Sequence, residues 1–344
     1  MSKIIAFGEI MLRLSPPQHQ TLTQATTLDC QFGGSELNVL STLGQLGYSV
    51  SLVSAIPDND VGHMAESFLF THQIGQDYMV KSGERLGIYY YQKGFSLRSS
   101  RVLYDRKYSA FYESRLSDYD LEAICEEMGW LHISGITVAL NPEIYEIALA
   151  LMTRAREKGI PISFDLNYRE SLWESFEEAR QALSKLVALA DICIGLEPIS
   201  LPTEEGRDLK DVLGFARPYR DRALLEQVLA EMADRYGLQK IAFTEREIGA
   251  TNEYILKAYL YDGENHQLYE TDRESIQVLD RVGTGDAFTA GIIYGLLEGL
   301  PNQAILETAM ASFKFKHTIE GDINIVTKKD IEQLMSQGAH DIKR

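Results

Sequence analysis

Short apolar, β-branched runs alternate along the chain with longer stretches in which apolar residues return every three or four positions. Ile4–Gly8, Val50–Ile56, Trp130–Ser134, Pro161–Leu166, Asp191–Leu196 and Lys240–Thr244 read as strands. Helical patterns of crossover length separate them. The clearest opens with Asn141 as N-cap and Pro142 in the first turn. It continues through Ile144, Ile147, Ala148, Leu151 and Ala155, and stops at Lys158-Gly159. The chain then enters the strand Pro161–Leu166. Strand, helix and strand at this spacing make a βαβ unit, and several in series predict an α/β fold with a mostly parallel sheet flanked by helices.

Two stretches break this rhythm. From about Gly87 to Tyr112 the chain is rich in Tyr and Arg, alternates in character and has no helical period. It reads as extended strands, which together with Arg13–Cys30 predict a small β-sheet laid over the core. The expected division is a core of residues 1–12, 31–86 and 113–344, with 13–30 and 87–112 forming the overlying sheet. Glu197–Arg222, charged and punctuated by Gly and Pro, reads as a surface insertion.

Composition narrows the possible partners. The 344 residues carry 33 Lys and Arg against 50 Asp and Glu, a formal net charge of −17. Such a surface repels phosphate backbones and anionic lipid, which disfavours nucleic acid and membrane as partners. No apolar run approaches the roughly 18 residues of a membrane span, and Met1–Leu12, with Glu9 inside it, reads as a strand and not a signal peptide. Cys30, Cys125 and Cys193 are isolated and form no CxxC, as expected of a reduced cytoplasmic protein. The histidines never fall at zinc-ligand spacing.

Candidate chemistry concentrates in Asp280-Arg281-Val282-Gly283-Thr284-Gly285-Asp286, followed at once by the helical pattern Phe288, Ile292, Leu296, Leu297. Glycines let backbone N–H groups turn inward, and a helix start adds about half a positive charge. This turn can cradle an anion, and Asp286 at its mouth suits a base that takes a proton from a hydroxyl attacking phosphorus. A lone GxGD reads equally well as a tight turn before an ordinary helix. The dinucleotide fingerprint GxGxxG fails at Phe288, and no P-loop pattern occurs. A second glycine-rich segment, Gly33-Gly34-Ser35-Glu36-Leu37-Asn38, opens a helix ending near Gly47. Gly34 allows close approach of a ligand, and Asn38 offers a donor and an acceptor to a polyol. Taken alone, Ser35 reads as an N-cap and Asn38 as a polar surface residue.

Taken together, these segments resemble the ribokinase-like (PfkB) carbohydrate kinases. The likeness rests on Gly33-Gly34 with Asn38, Asp165-x-Asn167-x-Arg169, and Asp280-x-x-Gly283-Thr284-Gly285-Asp286, in order from Gly8-Glu9 to Asn324. Within that family, Val102-x-Tyr104-Asp105-Arg106, Asp165-Leu166-Asn167-Tyr168-Arg169 and Lys316-His317-Thr318-Ile319-x-Gly321-Asp322-x-Asn324 are most similar to 2-keto-3-deoxygluconate kinases. The resemblance implies a β-sheet lid that also mediates homodimerisation or a higher homo-oligomer, sugar held between lid and core, and ATP with Mg²⁺ as cofactors. It implies Asp286 as catalytic base and an anion hole at Gly283, Thr284 and Gly285. Gly34, Asn38, Tyr90, Tyr104, Arg106, Arg169 and Asp286 would line the sugar-acid site. Asn167, Thr244, Arg246, Gly249, Gly283, Gly285 and Asn324 would face the nucleotide, and Glu197 the metal.

The physics agrees on one point. In a chain of charge −17, a substrate carboxylate needs local cations, and Arg106 and Arg169 offer paired N–H groups that Lys lacks. The chain departs from the family pattern in three places: Thr244-Glu245-Arg246-Glu247-Ile248-Gly249 replaces Thr-x-Gly-x-x-Gly, Leu196-Glu197-Pro198-Ile199 replaces the metal-associated Asn-x-x-Glu, and Thr284 replaces an alanine. The expected activity is ATP-dependent phosphorylation of 2-keto-3-deoxygluconate or its C4 epimer at the 6-hydroxyl. Alternatives are a kinase for a neutral sugar such as fructose or ribose, and a non-catalytic sugar-binding regulator.

Overall fold

Runs that are apolar on both faces become parallel strands, because helices cover the sheet on either side. The computed structural model describes residues 2–249 and 253–336. Its strands are β1 Lys3–Phe7, β2 Met11–Ser15, β3 Asp29–Gly33, β4 Val50–Ile56, β5 Met79–Lys81, β6 Gly87–Gln92, β7 Arg101–Asp105, β8 Met128–Ser134, β9 Ile162–Asp165, β10 Ile192–Ile194, β11 Lys240–Ile248, β12 Glu253–Asp262, β13 Gln267–Glu270 and β14 Glu274–Gln277. The large sheet runs β13-β12-β11-β10-β9-β8-β1-β4-β5, with β14 beside β12. From β11 to β5 neighbouring strands pair parallel, whereas β12, β13 and β14 add an antiparallel edge. All six predicted strands belong to the parallel part. β11 runs on to Ile248, beyond its apolar portion, because Glu245, Arg246 and Glu247 pair with Lys257, Leu256 and Ile255 of β12.

Period-two alternation divides the core. On β1, Ile5 and Phe7 pack into one cluster with Leu131 and Phe164, while Ile4 and Ala6 face a second cluster with Leu52 and Phe288. The predicted crossover helix spans Pro142–Glu157; Asn141 caps it by accepting from the Ile144 amide at 3.0 Å.

The predicted small sheet also forms, in the order β3-β2-β6-β7. Its first strand begins at Met11 and its second runs to Gly33, so it reaches further into the chain than Arg13–Cys30. The stretch Glu197–Arg222 is not simply a surface insertion. Lys210 within it is buried against Glu197 at 3.0 Å, and the stretch brings Arg217 to the central cavity. Cys30, Cys125 and Cys193 are free thiols. Among the described residues, no helix is long and apolar enough to cross a membrane.

Candidate active site

Beyond the carboxyl ends of β9 and β10, where ligands of parallel sheets bind, lies a cavity of about 770 Å³ roofed by the small sheet. The helix Thr284–Leu297 starts at its floor. Gly283 takes φ 75° at the N-cap, a conformation that favours glycine, and a Cβ there would lie 1.9 Å from the Asp322 carbonyl oxygen. Among the described residues, the amides of Gly285 and Asp286 have no hydrogen-bond partner, so both remain available at the positive end of the helix. Thr284 is engaged differently: its hydroxyl donates to the Arg281 carbonyl at 2.9 Å, which fixes the turn.

Asp286 faces this turn from a buried position. Asn38 Nδ2 donates to its Oδ2 at 2.7 Å and Ser35 Oγ to its Oδ1 at 3.0 Å; Asn167 Nδ2 in turn donates to Ser35 Oγ at 2.8 Å. Ser35 is therefore not the helix cap it resembles in sequence. Gly34 holds that position, where a Cβ would strike the Glu9 carbonyl oxygen at 2.1 Å. Burial raises the Asp286 carboxyl to about 7; Asp165 and Glu36 add repulsion, while the bonds from Asn38 and Ser35 oppose the rise. Asp165, at the end of β9, is itself raised to about 6 by burial, though it accepts from the Asn167 amide at 2.9 Å and from Thr289 at 3.2 Å. A carboxylate so placed can accept a proton near neutral pH while adjacent amides bind an anion.

Gly34, Asn38, Tyr104, Asn167, Arg169, Glu197, Thr244, Arg246, Gly283, Thr284, Gly285 and Asp286 all line the cavity. Four expected residues do not. Tyr90 points to the opposite face of β6, because alternation turns Tyr89 and Tyr91 inward. Arg106 is buried against Glu9, with Nε at 2.7 Å and Nη2 at 2.5 Å from the same carboxylate oxygen. Gly249 lies at the turn end of the β11–β12 pair, its amide donating to the Glu253 carbonyl at 2.9 Å. Asn324 binds Ser312 Oγ at 3.1 Å and so ties its loop to the helix Asn302–Lys316.

Sequence reasoning missed Ser35, Tyr89, Tyr91, Asp165, Arg217, Arg281 and Asp322 as lining residues. The two-residue alternation of β6 held the signal for the tyrosines, but not which face was covered. Arg13 was missed entirely. Carried on the small sheet, it is buried between Asp280 at 3.0 Å and Asp322 at 2.7 Å, and its guanidinium lies 4.3 Å from the Tyr91 ring centre. Tyr89 also donates to Asp322. For Mg²⁺ the described residues offer no closed cage of their own. Glu197 is held by Lys210, and the described residues contain no group of three His, Cys, Asp or Glu able to hold a metal ion.

An α/β core, a cavity at its strand ends, a buried carboxylate and a helix start with open amides together suit a group-transfer enzyme. The pattern of the pfkB family carbohydrate kinases matches residues 1–199 and 254–327. The chain belongs to that family and is a sugar kinase. It is 30% identical over 343 residues to the 2-dehydro-3-deoxygalactonokinase of Haloferax volcanii, covering 100% of this chain and 99% of that one. The crystal structure of 2-dehydro-3-deoxygluconokinase from Thermotoga maritima superposes with a TM-score of 0.88 at 35% identity, over 98% of both chains. A PfkB family carbohydrate kinase from Listeria grayi gives 0.86 at 31%, over 97% of this chain and 100% of that one.

Proposed function

We propose that this kinase transfers the γ-phosphoryl group of ATP to the 6-hydroxyl of a 2-keto-3-deoxy sugar acid, either 2-keto-3-deoxygluconate or its C4 epimer. The observation that carries the reading is Asp286, buried with a carboxyl near neutrality beside the open amides of Gly285 and Asp286. In the proposed step the hydroxyl oxygen forms a bond to phosphorus as the bond to the β-phosphate oxygen breaks. The hydroxyl proton passes to Asp286, and ADP leaves. The amides stabilise charge on the transferring group, where loss of one oriented donor typically lowers turnover about 10² to 10³-fold. Asn38 and Ser35 hold the carboxylate on the line of transfer. The small sheet serves as a lid that excludes water as a competing acceptor.

Arg169 is the proposed reader of the substrate carboxylate. It is exposed, lines the cavity and makes no ion pair among the described residues; its Nη1 donates only to the neighbouring Tyr168 carbonyl at 3.0 Å. The names of the Haloferax and Thermotoga relatives support the substrate class and leave both epimers open. Homodimerisation through the lid is part of the same proposal, supported by the exposed Val102, Leu103 and Tyr108 on and beside β7. The test is a coupled ADP-release assay with 2-keto-3-deoxygluconate, its C4 epimer, fructose and ribose. Preference for either acid is expected; equal rates on neutral sugars would overturn the sugar-acid reading.

A further inference from the structure

Arg217, Arg246 and Arg281 face the same cavity, and among the described residues none of them makes an ion pair. Each is held instead by a tyrosine. Arg217 Nε donates to Tyr219 Oη at 3.1 Å, while Arg281 Nη1 donates to Tyr254 Oη at 3.3 Å. The Arg246 and Arg281 guanidiniums lie 5.5 Å and 5.7 Å from the ring centre of that same Tyr254. Beneath them Glu245 is occupied: it accepts from the Tyr219 amide at 2.9 Å and from Tyr259 Oη at 2.7 Å. Desolvation disfavours the charge on Arg246 first, and Arg281 and Arg217 add repulsion that Tyr254 partly offsets. A guanidinium does not lose its proton in a protein, so this repulsion persists until an anion enters.

Their positions indicate which anion. Arg281 lies two residues before Gly283, on the turn whose amides face Asp286. Arg217 and Arg246 lie in residues 200–253, which the family pattern leaves unmatched. Three fixed positive charges suit several phosphate charges better than one carboxylate. Of the carboxylates that line the cavity, Glu197 is held by Lys210 and Asp322 by Arg13, while Asp165 and Asp286 accept from Thr289 and Asn38. We propose that Arg217, Arg246 and Arg281 seat the phosphate chain of the nucleotide, and that they hold a polyphosphate without needing a divalent cation. This rests on the kinase reading for the identity of the ligand, but not for the chemistry of the seat.

Calorimetric titration of the full chain with ADP, AMP and inorganic tripolyphosphate, first in EDTA and then with Mg²⁺, tests this. In EDTA, ADP and tripolyphosphate should bind the wild type at least about 10-fold more tightly than AMP. The double variant Arg246→Gln/Arg281→Gln should weaken both about 10 to 100-fold while changing AMP about twofold at most, as expected for charge-assisted hydrogen bonds. Unchanged ADP affinity, or an equal loss for AMP, would overturn the proposal. If the double variant does not fold, Arg217→Gln at the exposed rim should weaken ADP and tripolyphosphate in the same direction; unchanged affinity for both would also overturn it. Arginine-dependent polyphosphate binding by a protein that fails to phosphorylate sugar acids would remove the proposed substrate and leave this seat standing. Normal turnover with arginine-independent binding would do the reverse.

Discussion

The side-chain amide of Asn38 donates to Oδ2 of Asp286 across 2.7 Å, joining the first turn of one helix to the first turn of another. Asn38 Oδ1 is buried without a partner among the described residues. Because the donated bond favours the charged form of Asp286, Asn38→Ala should move the carboxyl further above about 7. The rate against pH would then rise at a higher pH than in the wild type, with a plateau at alkaline pH still reached. An unchanged midpoint would show that Asn38 does not tune the base.

Asp286 links rate to stability with opposite signs. As the proposed base it would work only when deprotonated, so kcat/KM should climb through about pH 7 and level off above it. Folding, by contrast, favours the protonated form, because the folded value of about 7 exceeds the ordinary 3.8. From about pH 4 to 7 the folded chain binds more protons than the unfolded one, and stability from this group falls as pH rises through that window. Asp286→Asn should lower turnover by about 10² to 10⁴-fold while raising Tm relative to wild type at pH 8. The Tm gain should shrink as pH approaches 5. Thermal melts at the two pH values, run beside the ADP assay, check both halves.

The parallel sheet was legible because its strands are continuous apolar runs such as Val50–Ile56, every residue of which is buried. The glycine turn before the helix Thr284–Leu297 was legible because Gly283 occupies a conformation that favours glycine. Legibility ended where a side chain's partner lies far away in sequence. Nothing local to Arg106 reveals that Glu9, 97 positions earlier, holds it, and Arg13 meets Asp322 across 309 positions. The alternation of Tyr89, Tyr90 and Tyr91 fixed two faces, but which one meets the core depends on how the small sheet docks.

Arg13 fixes that docking. Its guanidinium joins the small sheet to Asp280, whose other oxygen accepts from the Val282 amide at 3.0 Å, and to Asp322, whose carbonyl abuts Gly283. Removing it leaves two buried carboxylates uncompensated. Arg13→Met should therefore destabilise the fold by about 3–5 kcal/mol. Adding Asp280→Asn and Asp322→Asn removes the orphaned charges and should restore most of that stability. Urea denaturation of the single and triple variants measures it, and equal losses in both would mean the ion pairs are not what the mutation breaks.

Arg169 and Arg106 are the two arginines expected at the proposed sugar-acid site, yet the structure separates them. Arg169 is exposed at the cavity, whereas the Arg106 guanidinium is buried and held by Glu9, with Ser109 Oγ donating to the other Glu9 oxygen at 2.5 Å. Truncating Arg169 removes a cation that a substrate carboxylate would meet, worth about 1.5–3 kcal/mol for a charge-assisted bond, or roughly 10 to 100-fold in affinity. Arg169→Ala should thus raise KM for sugar acids by about that factor, with little effect on neutral sugars and on Tm. Arg106→Ala instead strands the Glu9 carboxylate, so its main effect should be a lower Tm with no discrimination between acid and neutral substrates. Kinetics on both sugar types beside melting curves distinguish the two roles. An acid-selective KM increase confined to the Arg106 variant would reverse the assignment.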